Sequence, residues 1–296
     1  MATIPEMTRY INNFSLDDCP RGNQGFTRVL LQLFGFLGHG KSSFINTCKY
    51  VLEDGEFKTY ADVTVSDGGN TTARITYPLT DTLTLVDNRG ASVMNSYEIG
   101  EIFAQLGNFL PFNEEIAWSE GFKLVDKIVE SEQLVKASDF IFPIFVYSVK
   151  KGMNPAEKDE LKELLTTVTQ LTGIFPMVIL THKTSPNLKD VKSKFKGMGV
   201  EQIFALENFT PEDHLKTRGR HEDVLKFFLE VIKDIEFRLE RFQNPETERQ
   251  NRKKLVINFA HNCDMKRQQD QMLAEQAARE KEEARRQANS GKCVLQ

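Results

Sequence analysis

The sequence predicts an α/β fold of three layers, with a mostly parallel sheet between helices and a helical carboxyl-terminal tail. Three observations carry this. Residues 29–34, 139–148 and 175–180 are short, nearly continuous apolar runs, the pattern of strands covered on both faces. Residues 154–171 and 221–242 repeat apolar positions at helical spacing, and strands alternating with helices of this length favour parallel pairing. From Lys266 to Gln287 the chain is almost all Gln, Glu, Arg, Lys and Ala, which makes a solvated helix with few large apolar residues.

Composition sets the bounds. The chain has 296 residues, 40% of them hydrophobic, enough for one large domain and an appendage. The expected division is an irregular lead-in over 1–26, a core domain over 27–242 and a polar helical tail over 243–296. Lys and Arg (38) are outnumbered by Asp and Glu (42), leaving a formal charge of -4 with the two signs interspersed, so no nucleic-acid partner is expected. Cys19, Cys48, Cys263 and Cys293 show no CxxC spacing, which suggests neither a zinc site nor a disulfide framework and fits a reducing cytosol. The amino terminus shows no basic region followed by an apolar core, and about 18 consecutive apolar residues occur nowhere. Neither secretion nor a membrane span is expected.

In chain order, Pro5, Asp17, Asp18, Pro20, Gly22 and Gly25 break up the first 26 residues, which read as irregular. Residues 27–48, TRVLLQLFGFLGHGKSSFINTC, read as a buried strand, a glycine-rich turn and the start of a helix. Gly35, Phe36, Leu37, Gly38, His39, Gly40, Lys41 and Ser42 satisfy the P-loop pattern GxxxxGK[ST] in full. Glycines there let backbone N–H groups converge on phosphate oxygens, and a helix opening at Lys41 turns the positive end of its dipole on the same point. Lys41 then supplies a point charge to the β- and γ-phosphates and the Ser42 hydroxyl is placed to ligate Mg²⁺, with Ser43 beside it.

Residues 54–72 end in SDGGNTT, too polar for core, and read as a mobile loop that meets the nucleotide; Thr71 or Thr72 would complete the Mg²⁺ shell and sense the γ-phosphate. Residues 73–80 and 81–86 read as strands, with Pro78 marking an edge position for the first. The second runs into Asp87, Asn88, Arg89 and Gly90, a DxxG: Asp87 would hold Mg²⁺ through water, and the Gly90 N–H would reach the γ-phosphate. Residues 91–137 read as amphipathic helical material without nameable chemistry.

Asn154 is the expected cap, and Pro155 the first residue, of the helix after strand 139–148. Strand 175–180 ends in Thr181, His182, Lys183 and Thr184, and a strand over 201–206 leads to Glu207, Asn208, Phe209 and Thr210. Residues 221–242 form the helix that closes the domain, and beyond Pro245 the apolar Val256, Ile257 and Phe259 could still dock on it. The chain ends SGKCVLQ, which places Cys293 before two aliphatic residues and glutamine, a prenylation box whose last residue favours farnesyl. One lipid chain anchors weakly, so a second signal is expected; Arg285, Arg286 and Lys292 are a thin basic patch, and self-association would multiply the anchors.

With these motifs in this order, residues 27–242 resemble the P-loop GTPases. The resemblance implies a P-loop NTPase three-layer sandwich with Mg²⁺ and GTP or GDP as cofactors. It implies Lys41, Thr72, Asp87 and Gly90 at the reacting phosphate, and Ser42, Thr71, Thr72 and Asp87 around the metal. Gly35, Gly38, His39, Gly40, Lys41, Ser42 and Ser43 would hold phosphates, and Thr181, His182, Lys183 and Asn208 would lie beside the base. The chain departs from that pattern at Thr184, where those proteins carry an aspartate that accepts from guanine N1 and N2, so ATP stays open. Ala91 stands where many of them place a water-orienting glutamine, and Leu37 where many have glycine, which implies slow turnover, with His39 or Arg89 as candidate helpers. The tail, the altered base motif and the prenylation box look like the interferon-inducible GTPases in the wide sense, with the interferon-induced protein 44 group and the guanylate-binding proteins nearest. That implies a cytoplasmic, membrane-associated, prenylated switch in innate immunity, with a homo-oligomer as a candidate partner. A nucleotide-binding scaffold without useful hydrolysis is the alternative.

Overall fold

The structure is a computed structural model and describes residues 2–53, 55–62, 73–92, 95–115, 121–241 and 244–292. Its strands are β1 (Arg28–Phe34), β2 (Ile75–Pro78), β3 (Leu83–Asp87), β4 (Asp139–Ser148), β5 (Met177–Thr181) and β6 (Ile203–Leu206). They form one sheet in the order β2-β3-β1-β4-β5-β6. β2 is antiparallel to β3 and the other four pairings are parallel. Pro78 ends the outermost strand, where its missing N–H costs no ladder bond.

Eight α-helices lie among the described residues: α1 (Ile4–Asn12), α2 (Lys41–Leu52), α3 (Ser96–Leu106), α4 (Gly121–Glu130), α5 (Pro155–Thr172), α6 (Leu188–Gly197), α7 (Arg218–Leu239) and α8 (Pro245–Lys292). Alternation along the strands assigns them to faces. Val29, Leu31 and Leu33 of β1 and Ile144 and Val146 of β4 share a core with α1, α2 and α7. Phe34, Phe145 and Tyr147 turn the other way, into a core with α3, α4, α5, α6 and the first turns of α8. Both sheet faces are covered, which is why the strands read as apolar runs rather than alternating ones.

Residues 4–12, expected to be irregular, are helical. Thr3 and Glu6 form a capping box, with the Thr3 N–H donating to Glu6 Oε2 at 2.7 Å and the Glu6 N–H donating to Thr3 Oγ1 at 3.4 Å. Met7 and Ile11, four residues apart, are buried against the α7 side of the core. Several boundaries also move: the strands expected over 73–80, 81–86, 175–180 and 201–206 run 75–78, 83–87, 177–181 and 203–206, and the helix expected over 221–242 spans 218–239. At α5 the expected start holds, with Asn154 Oδ1 accepting from the Glu157 N–H at 2.8 Å and Pro155 opening the helix.

α8 changes character along its length. Arg249, Arg252, Val256 and Ala260 are buried, while Met265, Met272 and Leu273 are exposed. Among the described residues no helix is long and apolar enough to cross a membrane.

The parallel register brings the carboxyl ends of five strands to one edge. Leu33 pairs with Asp87, Phe34 with Phe145, Ser148 with Thr181, and Thr181 with Leu206. β1 lies between β3 and β4, where successive connections leave in opposite directions and open a crevice above the sheet.

Candidate functional site

The crevice is floored by the turn from β1 into α2. Gly35, Gly38 and Gly40 all have positive φ (140°, 70° and 91°), which L side chains resist. Gly35 is also pressed against β4, where an added Cβ would collide with the Val146 carbonyl oxygen. Reversing the chain within six residues leaves the N–H groups of Gly38, His39 and Gly40 with no acceptor among the described residues. The amino-terminal end of the twelve-residue helix α2 opens onto the same place.

Three polar side chains converge there. Lys41 is buried, and its ammonium donates to Phe36 O at 3.1 Å. Burial pulls the Lys41 pKa down and Asp87 pulls it back up. Ser42 Oγ donates to Asp87 Oδ2 at 2.8 Å, joining the start of α2 to the end of β3. Asp87 Oδ1 is buried without a hydrogen-bond partner, and burial raises the carboxyl pKa against the opposing pull of Lys41 and Ser42. Gly90 completes the group: a Cβ there would lie 2.6 Å from Lys41 Nζ and 3.1 Å from Leu37 N.

The segment after Gly90 is stitched to the turn. The Ala91 N–H donates to Gly35 O at 3.1 Å and the Leu37 N–H donates to Ala91 O at 2.9 Å. Beneath it, Asn88 Nδ2 donates to Gln32 Oε1 at 2.8 Å and to Leu33 O at 3.0 Å, and Asn88 Oδ1 accepts from Arg74 Nε at 3.0 Å. Arg74 is fully buried, bonds also to Gln32, Asn108 and Leu110 O, and has its pKa lowered to about 9 by desolvation. This network holds the backbone of residues 87–91 under the site. Its sequence signals were a glutamine inside the apolar run of β1 and an arginine directly before β2, both polar residues where the core demands a partner.

His39 is packed between Phe36 and Tyr147, with ring centroids 5.1 and 4.9 Å away, and its Nδ1 accepts from the Ser148 N–H at 3.1 Å. Burial, with Lys41 nearby, lowers its pKa to about 3, so it is a neutral wedge holding the turn to β4. Thr181 Oγ1 donates to His39 O at 3.1 Å and Asn208 Nδ2 donates to Gly40 O at 3.3 Å, so the turns after β5 and β6 both rest on the glycine turn. Asn208 Oδ1 is buried without a partner. His182 has a left-handed backbone (φ 60°) and lies 3.8 Å from Glu207. Lys183 does not join the site: it points away, into a 2.5 Å ion pair with Asp223 on α7. Thr71, Thr72 and Cys293 lie outside the described residues.

The donor set suits an anion with a hard divalent cation. A left-handed turn with unengaged N–H groups and a buried lysine suits anionic oxygens, and the orphaned Asp87 oxygen beside a serine hydroxyl suits Mg²⁺, which takes few protein ligands and keeps its waters. Among the described residues no cluster of three His, Cys, Asp or Glu side chains could hold a metal without such help. Compared with known proteins, the chain matches no family model and no curated protein sequence.

Proposed function

We propose that the protein is a Mg²⁺-dependent guanine-nucleotide-binding protein of the P-loop GTPase kind, a slow GTPase acting as a prenylated, membrane-associated switch. The observation that carries the reading is the meeting of Lys41, Ser42 and Asp87, with Gly90 against the lysine, at the mouth of the glycine turn. Residues 45 apart in sequence come together where a triphosphate would need charge, a metal ligand and backbone donors.

The roles follow from the positions. N–H groups of residues 38–40 and the α2 amino terminus hold phosphate oxygens; Lys41 places its charge on the outer phosphates; Ser42 and Asp87 hold Mg²⁺. Bound Mg²⁺ supplies charge neutralisation on the phosphate oxygens. The Gly90 N–H faces the last phosphate once the Ala91 segment shifts from Leu37. Ala91 has no side chain with which to orient an attacking water, and the neutral His39 is too weak a base to do so, which leaves Arg89 as the helper and makes hydrolysis slow. The engaged Leu37 N–H and the water-blind Ala91 equally support a second reading, a nucleotide-binding scaffold without useful hydrolysis.

For the membrane arm, a farnesylated Cys293 would follow α8 in sequence, and residues 268–284 of that helix are exposed. Likeness to the interferon-inducible GTPases belongs to the same proposal. The test is binding of labelled GTP and ATP with and without Mg²⁺, followed by phosphate release at increasing protein concentration. GTP bound only with Mg²⁺, and turnover that rises with concentration, support the switch. Saturable GTP binding with no phosphate release supports the scaffold, and preference for ATP would reject the guanine assignment.

A further inference from the structure

The turn after β5 has Thr184 where an aspartate was expected, yet a carboxylate lies against that residue. Glu207, directly after β6, accepts at Oε2 from the Thr184 N–H and from Thr184 Oγ1, both at 3.1 Å. Its Oε1 is 3.8 Å from His182 Nδ1, and the side chain is 24% exposed. Desolvation lowers the His182 pKa, so at neutral pH the imidazole does not hold Glu207 in a permanent ion pair.

The segment carrying Glu207 is tied down. Arg220 donates to Asn208 O at 2.7 Å and to Glu207 O at 3.4 Å, and lies 4.1 Å over the Phe209 ring. The Lys183 N–H donates to Leu206 O at 3.2 Å, and the neighbouring Asn208 bonds to Gly40 O. Glu207 therefore stands one residue from a side chain that touches the glycine turn, on the side of the crevice bounded by β5 and β6.

We propose that Glu207 is the specificity-determining carboxylate for a guanine base, with Thr184 as its positioning residue; this rests on the nucleotide reading above. A carboxylate offers about four acceptor sites, and Thr184 takes two of them on Oε2. Oε1 and the remaining capacity of Oε2 match the side-by-side N1–H and 2-amino donors of guanine. Adenine presents a ring-nitrogen acceptor at the same edge and would set a lone pair against the acid. The acid thus sits on the turn after β6, and the threonine hydroxyl on the turn after β5 orients it.

The test is displacement of a fluorescent GTP analogue from the full chain in Mg²⁺ by GTP, inosine, xanthosine and adenosine triphosphates. Wild type is expected to take GTP at least about tenfold more tightly than the inosine and adenosine forms, the scale of one charge-assisted hydrogen bond. Glu207→Gln is expected to weaken GTP about 10- to 100-fold and to invert the order of GTP and xanthosine triphosphate, because the carboxamide N–H donates to the xanthine oxygen. Thr184→Val should weaken GTP without improving xanthosine triphosphate. Should Glu207→Gln not fold, Glu207→Ala is read instead: equal competition by GTP and inosine triphosphate supports the assignment, and a retained GTP preference overturns it. Equal weakening of all four nucleotides, or an unchanged order in Glu207→Gln, rejects Glu207 while leaving nucleotide binding intact. A wild-type chain that binds none of the four rejects the nucleotide reading itself.

Discussion

At Gly90 the site has no room for one more methyl. A Cβ there would press on Lys41 Nζ at 2.6 Å and on Leu37 Cδ2 at 3.0 Å. The ammonium is the end of a flexible side chain and can yield, so Gly90→Ala should fold but displace the lysine and weaken triphosphate binding by about 10- to 100-fold, measured by calorimetry. His39 gives a pH signature. Its pKa falls from 6.5 to about 3 on folding, so the unfolded chain takes up the proton first and stability declines as pH drops below 6.5. Between pH 7 and pH 5 this amounts to a loss of about 2 kcal/mol, at about 1.4 kcal/mol per unit. Asp87, with its raised carboxyl pKa, pulls the other way, so the readout is the difference between wild type and His39→Gln in denaturant melts at the two pH values. Parallel curves for the two proteins would contradict the buried neutral imidazole. Residues 35–42 and 87–90 were legible because each carries a complete local pattern. Arg74, Gln32 and Glu207 were not, because their partners lie 14 to 56 residues away in sequence.

Element by element, the sequence showed strands well and ends poorly. β4 and β5 announced themselves by unbroken apolar runs, whereas β6 was expected two residues early because Glu201 and Gln202 carry no turn signal. α1 was hidden by two prolines and two glycines in its neighbourhood, although TIPE at 3–6 is a capping box with proline in the first turn. In α8 the apolar Val256 and Phe259 pointed to docking on the domain, and Val256 is buried with Phe259 packed on the same core, but composition does not reveal that Arg249, Arg252 and Ala260 join that buried stripe. Arg249 donates to Asn108 O and to Glu132, and Arg252 has its pKa lowered to about 10 by burial, so the first turns of α8 are part of the packed body. Val256→Ala should therefore cost about 1–3 kcal/mol in chemical unfolding, while Leu273→Ala, on the exposed half, should stay within about 0.5 kcal/mol. Equal effects at the two positions would mean that the helix does not dock as described.

The whole molecule carries the crevice at the carboxyl ends of its parallel strands and a long helix, α8, whose later turns are exposed. Its formal charge of -4 offers anionic membranes little attraction, so the proposed attachment rests on the lipid, multiplied by self-association, rather than on charge. Full-length farnesylated chain should sediment with vesicles and Cys293→Ser should not, with little dependence on anionic lipid; equal binding of the two would remove prenylation from the account. On the proposed function, the turn between β1 and α2 holds a triphosphate with Mg²⁺. The most direct measurement of this is calorimetric titration of a non-hydrolysable GTP analogue with Mg²⁺ into wild type and Lys41→Ala. Wild type is expected to bind saturably at one to one, and the variant at least about tenfold more weakly. Absence of binding by wild type, or the same affinity in both, would contradict that role of the turn.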